Sequence, residues 1–357
     1  MAIQDYISNR RLDREGRYSP SSAGVLERPP AIIKVIGVGS GGCNSVKRMM
    51  HHSVPGTTFA MVNTDNIVLE ANAIDVDIIQ IGASKARAWG AGVDYATDDL
   101  SSDESTQQLR QSISNADLVF ITAGMGGGTG TGAAPYVAHL AKAQGALVVG
   151  LVTAPFSFEG RRRMALAVAG VDQLRPYVDN LILVHNDRLL TFVERDAQMI
   201  EAFRIADEVV AQGIMGLSNM INVPQEINVD FDDVRSVMGN RGRALMAVGR
   251  GNGDTGPFQA ARQAVARPLL DLSLENAAGV LVMIKGGAAA MTLGGVNAAR
   301  KVITAAVREH AKVHIGVGID DSLGDEVRLT LIATGLGSGP DIQTGPDRSV
   351  ITKGCHP

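Results

Sequence analysis

Gly37, Gly39 and Gly42 close the apolar run IIKVI and spell G-x-G-x-x-G immediately ahead of a helix-like stretch. Glycines at that spacing let a backbone approach a pyrophosphate and aim the N–H groups of a helix N-terminus at it. The acid that such a loop uses about 20 residues later to hold ribose hydroxyls is present as Asp65, after FAMVNTD. Taken alone, these residues describe a dinucleotide site. The signal is weak in a chain with 41 glycines, because glycine turns after strands also serve ordinary helix–sheet packing.

A second loop changes the reading. The apolar DLVFITA runs into Gly124-Met125-Gly126-Gly127-Gly128-Thr129-Gly130-Thr131-Gly132, and another helical stretch follows. Glycine at that density costs backbone entropy, so packing alone is a poor reason for it. The loop offers a row of bare N–H groups where a helix dipole favours anions, and Thr129 and Thr131 add hydroxyls. Loops at the carboxyl ends of neighbouring parallel strands line one crevice. Two such loops can wrap a chain of several phosphates, whereas a Rossmann dehydrogenase needs only the first. A P-loop is excluded by the missing G-K-[ST] ending.

The elements that must position these loops are legible as a pattern. KVIGV, FAMVN, DIIQIG, DLVFITA, ALVVGLVTA and NLILV are strand candidates separated by helical stretches, mostly without polar alternation. That arrangement predicts a doubly wound α/β domain with a parallel sheet covered on both faces. MIEAFRIADEVVAQGIMGLSNMI then places Phe203, Ala206, Val210, Ile214, Leu217 and Ile221 on one stripe of a long central helix. After Pro224, the runs GVLVMIKGG, KVHIGVGID and EVRLTLIATG, with helices around Asp233–Met246 and Val296–His310, predict a smaller α+β C-terminal domain. DSLGD between the last two runs predicts a hairpin. The expected divisions are a disordered tail over 1–30, a nucleotide-binding domain over 31–198, the central helix over 199–222, the C-terminal domain over 223–336 and a disordered tail over 337–357.

Composition narrows the setting. A chain of 357 residues is long for one core. A net charge of −4 gives no general attraction to nucleic acid or anionic membrane. Arg10, Arg11, Arg14, Arg17 and Arg28 in the N-terminal segment are nearly cancelled by Asp5, Asp13, Glu15 and Glu27. Two cysteines, Cys43 and Cys355, cannot build a disulfide framework and fit a reducing compartment. No apolar run is long enough for a membrane span, and MAIQDYISNRRLDR has no signal-peptide core. A cytoplasmic protein, without direct membrane insertion and without nucleic acid as a partner, is expected.

GMGGGTGTGAAP resembles the signature loop of the tubulin/FtsZ superfamily, and the chain looks like a bacterial-type FtsZ, the cell-division GTPases, from about Ile32 to Leu336. The resemblance takes in NTD (Asn63–Asp65), PFSFEGRRR (Pro155–Arg163), NDRLL (Asn186–Leu190), AFRIADEVV (Ala202–Val210) and INVDFDDV (Ile227–Val234). It implies GTP/GDP as ligand, with Mg2+ held mainly by phosphates and water and no direct protein ligand to the metal. It also implies head-to-tail filaments, action at the division site and other division proteins as partners. Ser40, Gly41, Gly42, Cys43 and Asn44 stand in the first phosphate loop, and Gly126, Gly127, Gly128, Thr129, Gly130 and Thr131 in the signature loop. By the same resemblance Glu159 holds the ribose, Arg163 the sugar–phosphate region, and Asn186, Phe203 and Asp207 the nucleoside. A carboxylate only accepts hydrogen bonds, so Asp207 suits the adjacent N1–H and N2–H donors of guanine and mismatches adenine. Asn228, Asp230 and Asp233 belong to a loop that in the family enters the next protomer's site and orients the attacking water. Such an interface is open-ended and builds filaments.

Each residue also has a plainer reading. Asn44 can cap a helix, and Glu159 and Arg163, four apart, can be a solvated pair on one helix face. Phe203 can be core, and Asp230 can cap a helix with Asp233 in its first turn. The chain also departs from the family's pattern. Gly90-Ala91-Gly92-Val93-Asp94-Tyr95 stands where the third loop usually reads close to G-A-G-[GA]-N-P. Gln225 replaces a glycine and Asp232 adds an acid in the INVDFDDV loop, while Ser40 and Cys43 stand where glycines are commoner. The C-terminal tail has no peptide of the kind that docks membrane adaptors. A specialised filament or regulator with little GTP turnover is therefore one alternative, and an NAD-dependent Rossmann oxidoreductase, from the first glycine loop, is another.

Overall fold

Runs rich in Val and Ile without polar alternation are stable only when both faces of a strand are covered. In a computed structural model of the chain, which describes residues 31–50, 54–65, 76–81, 104–190, 198–240, 242–266 and 273–337, they form one sheet. Its first half comprises β1 (Ile33–Val38), β2 (Thr57–Asn63), β3 (Val76–Gln80), β4 (Leu118–Gly124), β5 (Leu147–Ala154) and β6 (Asn180–His185). All pair in parallel, in the order β3-β2-β1-β4-β5-β6. This is the doubly wound arrangement, and its strand order reverses between β1 and β4, where ligands of such sheets bind. Those two strands carry the two glycine loops.

The connecting helices are α1 (Gly39–Met49), α2 (Glu104–Ile113), α3 (Gly128–Ala143) and α4 (Arg161–Leu174), followed by the short α5 (Asn186–Leu189). The long helix α6 (Met199–Asn222) then crosses to α7 (Phe231–Met238). The second half adds β7 (Gly242–Asn252), α8 (Gly256–Ala266), β8 (Gly279–Gly286), α9 (Leu293–Ala306), β9 (Lys312–Ile319) and β10 (Glu326–Thr334). Its strands extend the same sheet in the order β7-β10-β8-β9, and β6 and β7 meet in parallel over Asn180–Ile182 and Gly242–Ala244.

Alternate residues of each strand feed opposite cores. Ile33 and Val35 of β1 join a layer under α1, α6 and α7, while Ile36 and Val38 join the layer under α3, α4, α8 and α9. Both layers run through both halves. On α6, Ala206, Val210, Ile214 and Leu217 are buried as the periodicity predicts, but Phe203 is 39% exposed and stands outside the stripe.

Two expectations fail. β9 and β10 are not a hairpin, because β8 lies between them, parallel to β9 and antiparallel to β10. The physical reason is burial. GVLVMIKG is the most continuously apolar of the three and takes the interior position, leaving the mixed KVHIGVGI at the edge. Residues Asp320 to Asp325 therefore step across a strand, with a turn in which Asp320 accepts from Ser322 N. Nor is Asp233–Met246 one helix. α7 stops at Met238, with Gly239 and Gly242 following, and ALMAVG becomes the buried centre of β7. Both expected tails, Cys355 and the third loop around Val93 and Asp94 lie outside the described residues.

Candidate functional site

The cleft is assembled from helix starts that lack their usual caps. The first N–H groups of a helix need acceptors from outside it. α1 begins at Gly39 and α3 at Gly128. Neither has a side-chain cap, and neither has an acid in its first turn. These donors are left for an anion, at the end where the dipole favours one.

Close backbone approach holds the two loops side by side. Gly39 adopts φ +71°, and a Cβ there would lie 2.8 Å from Gly130 N. Gly126 adopts φ +93°, and its Cβ would lie 2.6 Å from the Arg163 carbonyl oxygen, which seats the start of α4 against the second loop. The hydroxyls brace the loop from within. Thr131 Oγ1 accepts from Gly126 N at 2.8 Å. Thr129 and Thr64, the latter just beyond β2, share a hydroxyl contact of 2.9 Å.

A cleft of about 220 Å³ opens over these loops. It brings together Ser40 and Gly41 of the first loop, Gly127 to Gly130 of the second, and Glu159, Arg163, Asn186, Phe203 and Asp207. Glu159 and Arg163 are not on one helix. Glu159 ends a 3-10 turn over Ser157–Glu159, and Gly160, at φ +99°, separates it from α4. Their ion pair nevertheless closes at 2.9 Å, with Glu159 also accepting from Phe156 N at 2.7 Å. Phe203 meets Phe156 edge to face at 5.1 Å, presenting an aromatic wall to the cleft. Asn186 is 5% exposed and its Oδ1 has no hydrogen-bond partner.

Asp207 is held by α1. Its Oδ1 accepts from Ser45 Oγ at 3.2 Å, and its Oδ2 lies 3.4 Å from Arg48 Nε. Burial raises its proton affinity above the usual carboxylate range, and the Arg48 cation and the Ser45 hydroxyl oppose that shift.

Several expected residues support the loops without lining the cleft. Gly42 packs against the Thr122 carbonyl of β4, where a side chain has no room. Cys43 is fully buried under the first loop, and burial pushes its thiol up to about 12. Asn44 is exposed, and Asp65, the acid of the dinucleotide reading, is exposed as well and does not line the cleft. Thr153, to which sequence reasoning gave no part, lines it, as do Gly39, Gly124, Met125, Pro155 and Ala206, which stood in the quoted motifs without a named contact. The available signal was topological, since Thr153 and Pro155 flank the carboxyl end of β5, the next strand in the sheet.

Asn228, Asp230 and Asp233 are not in the cleft. They follow the far end of α6, which rises roughly 22 Å from Asp207 to Asn222 at about 1.5 Å per residue. Asn228 Oδ1 accepts from Gln225 N at 2.7 Å. Asp230 caps α7 by accepting from Asp233 N at 2.8 Å, so the capping role is real. Among the described residues no helix is long and apolar enough to cross a membrane.

With this geometry in hand, comparisons with known proteins are specific. The GTPase domain of the Tubulin/FtsZ family matches residues 32–194, and the C-terminal domain of the FtsZ family matches residues 242–337. An empty FtsZ dimer from M. jannaschii superposes with a TM-score of 0.80 at 34% identity, over 87% of this chain and 90% of that one. A point-mutant FtsZ from the same organism gives 0.79 at 34% identity, over 87% and 93%. CetZ2 from Haloferax volcanii, described as a protofilament bound to GTPγS, shares the fold at 21% identity and a TM-score of 0.69, over 87% and 94%.

Proposed function

The chain belongs to the FtsZ family and is a GTPase, and we propose that it hydrolyses GTP at head-to-tail contacts between its own copies, as a filament of cell division. The observation that carries this reading is the separation of binding groups from acids. The cleft has phosphate donors, a base-side carboxylate and an aromatic wall, while Asn228, Asp230 and Asp233 lie beyond the other end of α6. Unpaired carboxylates beside the phosphates would repel them, whereas Glu159 is paired with Arg163 and Asp207 is assigned to the base; carboxylates arriving with a second subunit would act only once a contact forms. The M. jannaschii relative was obtained as a dimer, which supports self-association. The dinucleotide reading is overturned by the family match across residues 32–194.

In this reading the start of α1 and the second glycine loop hold the phosphates, and Arg163 adds positive charge beside them. Asn186 Oδ1, buried and without a partner, accepts a nucleoside N–H, and Asp207 receives the two guanine donors. Mg2+ would travel with the phosphates, held mainly by them and by water, and would neutralise charge on them. The partner's Asp230 and Asp233 positions orient a water whose oxygen bonds to the γ-phosphorus. The bridging P–O bond to the β-phosphate breaks, GDP leaves, and the water's proton passes to a carboxylate or on to solvent.

The test is a mixture of variants. Asp233→Ala should spare GTP binding by the monomer and sharply reduce hydrolysis in the polymer. Arg163→Ala should fail at its own cleft but still present an intact acidic loop. Mixing the two should restore part of the GTPase activity that neither has alone. Loss of GTP binding in monomeric Asp233→Ala, or full polymer turnover by it, would refute catalysis across the contact.

A further inference from the structure

The acidic loop is laid along one face of β9, residue by residue. Side chains two apart on a strand share a face, and Lys312, His314, Gly316 and Gly318 form such a set. Lys312 Nζ donates to Ser236 Oγ at 3.1 Å. His314 Nδ1 lies 3.4 Å from Asp233 Oδ1. A Cβ at Gly316 would lie 3.5 Å from Val229, and one at Gly318 would run into the Gln225 amide. A two-way backbone bridge joins Ile227 and Val317, each N–H reaching the other's carbonyl at 3.1 Å. The loop is thus seated from Gln225 to Ser236, and in this ladder it is the His314 imidazole that approaches the Asp233 carboxylate.

We propose that His314 is a positioning residue for GTP hydrolysis, holding the Asp233 carboxylate by Oδ1 so that it faces the neighbouring protomer's nucleotide in a fixed orientation. The inference rests on the trans-acting role of Asp233 given above. The imidazole nitrogen stands 3.4 Å from the carboxylate oxygen, close enough to restrict the orientations open to the Asp233 side chain. Other charges near the pair are fixed in their own contacts. Asp230 caps α7, Lys312 is on Ser236, and the Arg235 guanidinium lies 5.2 Å from the centre of the Phe231 ring. Asp232, exposed in the first turn of α7, has a partner of its own.

The experiment measures steady-state GTP hydrolysis by the full chain at saturating GTP, per amount of pelleted polymer. His314→Ala should lower turnover about two- to five-fold, the scale of a half-exposed pair, with KM for GTP and monomer nucleotide binding unchanged. His314→Asn keeps a polar group near the position of Nδ1 and should recover most of that turnover. Wild-type turnover in His314→Ala overturns the proposal, and so does an equal loss in His314→Asn. Should His314→Ala fail to assemble, turnover in His314→Asn against His314→Leu decides. Asp233→Ala separates the two ideas. If its polymer hydrolyses GTP at the wild-type rate, the trans role of Asp233 fails. If it is inactive while both His314 variants match the wild type, only the positioning role fails.

Discussion

At the scale of the residue, Asp207 is the proposed partner of guanine. In that role its carboxylate must be ionised, yet burial favours the protonated form. Arg48 and Ser45, both on α1, hold it towards the charged state, so the first loop and the base-side residue are coupled through one short helix. Asp207→Ala is expected to weaken GTP binding by about 1.5–3 kcal/mol and to narrow the preference for GTP over ATP, which competition titration will measure. The pH dependence follows from the raised proton affinity. As pH falls, Asp207 takes up its proton before ordinary surface carboxylates do, becomes a donor, and guanine affinity drops. Arg48→Ala removes the opposing cation and should move that drop to higher pH. Folding stability has the opposite sign. A carboxyl raised in the folded state contributes stability below its unfolded value of about 3.9 and loses it as pH rises through the higher folded value. Parallel curves of GTP affinity and urea midpoint against pH check both directions, and curves that move together would remove Asp207 from the base side.

At the scale of the element, glycine separates two roles that look alike in the sequence. Gly126 and Gly160 both have positive φ, but only Gly126 faces a backbone atom where a Cβ would go. Gly160, at φ 99° and ψ 157°, lies in a region essentially restricted to glycine, so Gly160→Ala should cost about 1–3 kcal/mol of backbone strain and leave GTP affinity near that of the wild type. Gly126→Ala adds a collision with Arg163 at the start of α4, so it should destabilise more and also weaken GTP binding. Urea unfolding with and without GTP distinguishes the two. The glycine loops, the parallel half of the sheet and α6 were legible because each rests on local pattern: continuous apolar runs, helical periodicity and loops at strand ends. ALMAVG was not, because a short apolar run bounded by glycines has no period that separates helix from strand, and pairing with β10 decided it. The supposed hairpin failed for a related reason. DSLGD permits a tight turn, but which strand occupies the interior depends on competition for burial among three strands. In the cleft, Glu159 and Arg163 were singled out by resemblance, while their four-residue spacing pointed to one helix that the structure divides at Gly160. Phe203 was assigned to the apolar stripe by its period, and its exposure emerges only from where α6 meets the Phe156 turn.

At the scale of the whole molecule, one sheet joins the nucleotide-binding half to the half that orders the acidic loop, and the seam is short. Beyond the β6–β7 pairing a buried amide crosses it, as Asn180 Nδ2 donates to the Met238 carbonyl at the end of α7. Within the second half, the Thr334 hydroxyl of β10 donates to the Val237 carbonyl at 2.8 Å and so ties α7 to the sheet. Thr334→Val keeps the volume and leaves that carbonyl without its donor, at an expected cost of about 1–3 kcal/mol. A urea midpoint unchanged by the substitution would show that α7 is held to the sheet without this hydrogen bond. The length of α6 has a further result when copies are counted. The cleft flanks one end of the helix and the acidic loop follows the other, so a row built head to tail as proposed has an unmatched cleft at one terminus and an unmatched loop at the opposite one. On the trans reading, n copies contain n − 1 complete sites. A lone protomer hydrolyses nothing, a pair turns over half of its bound nucleotide, and specific activity climbs towards its ceiling only as rows lengthen. The terminal cleft keeps its GTP until another subunit arrives, which leaves each row with one end chemically fresher than the rest.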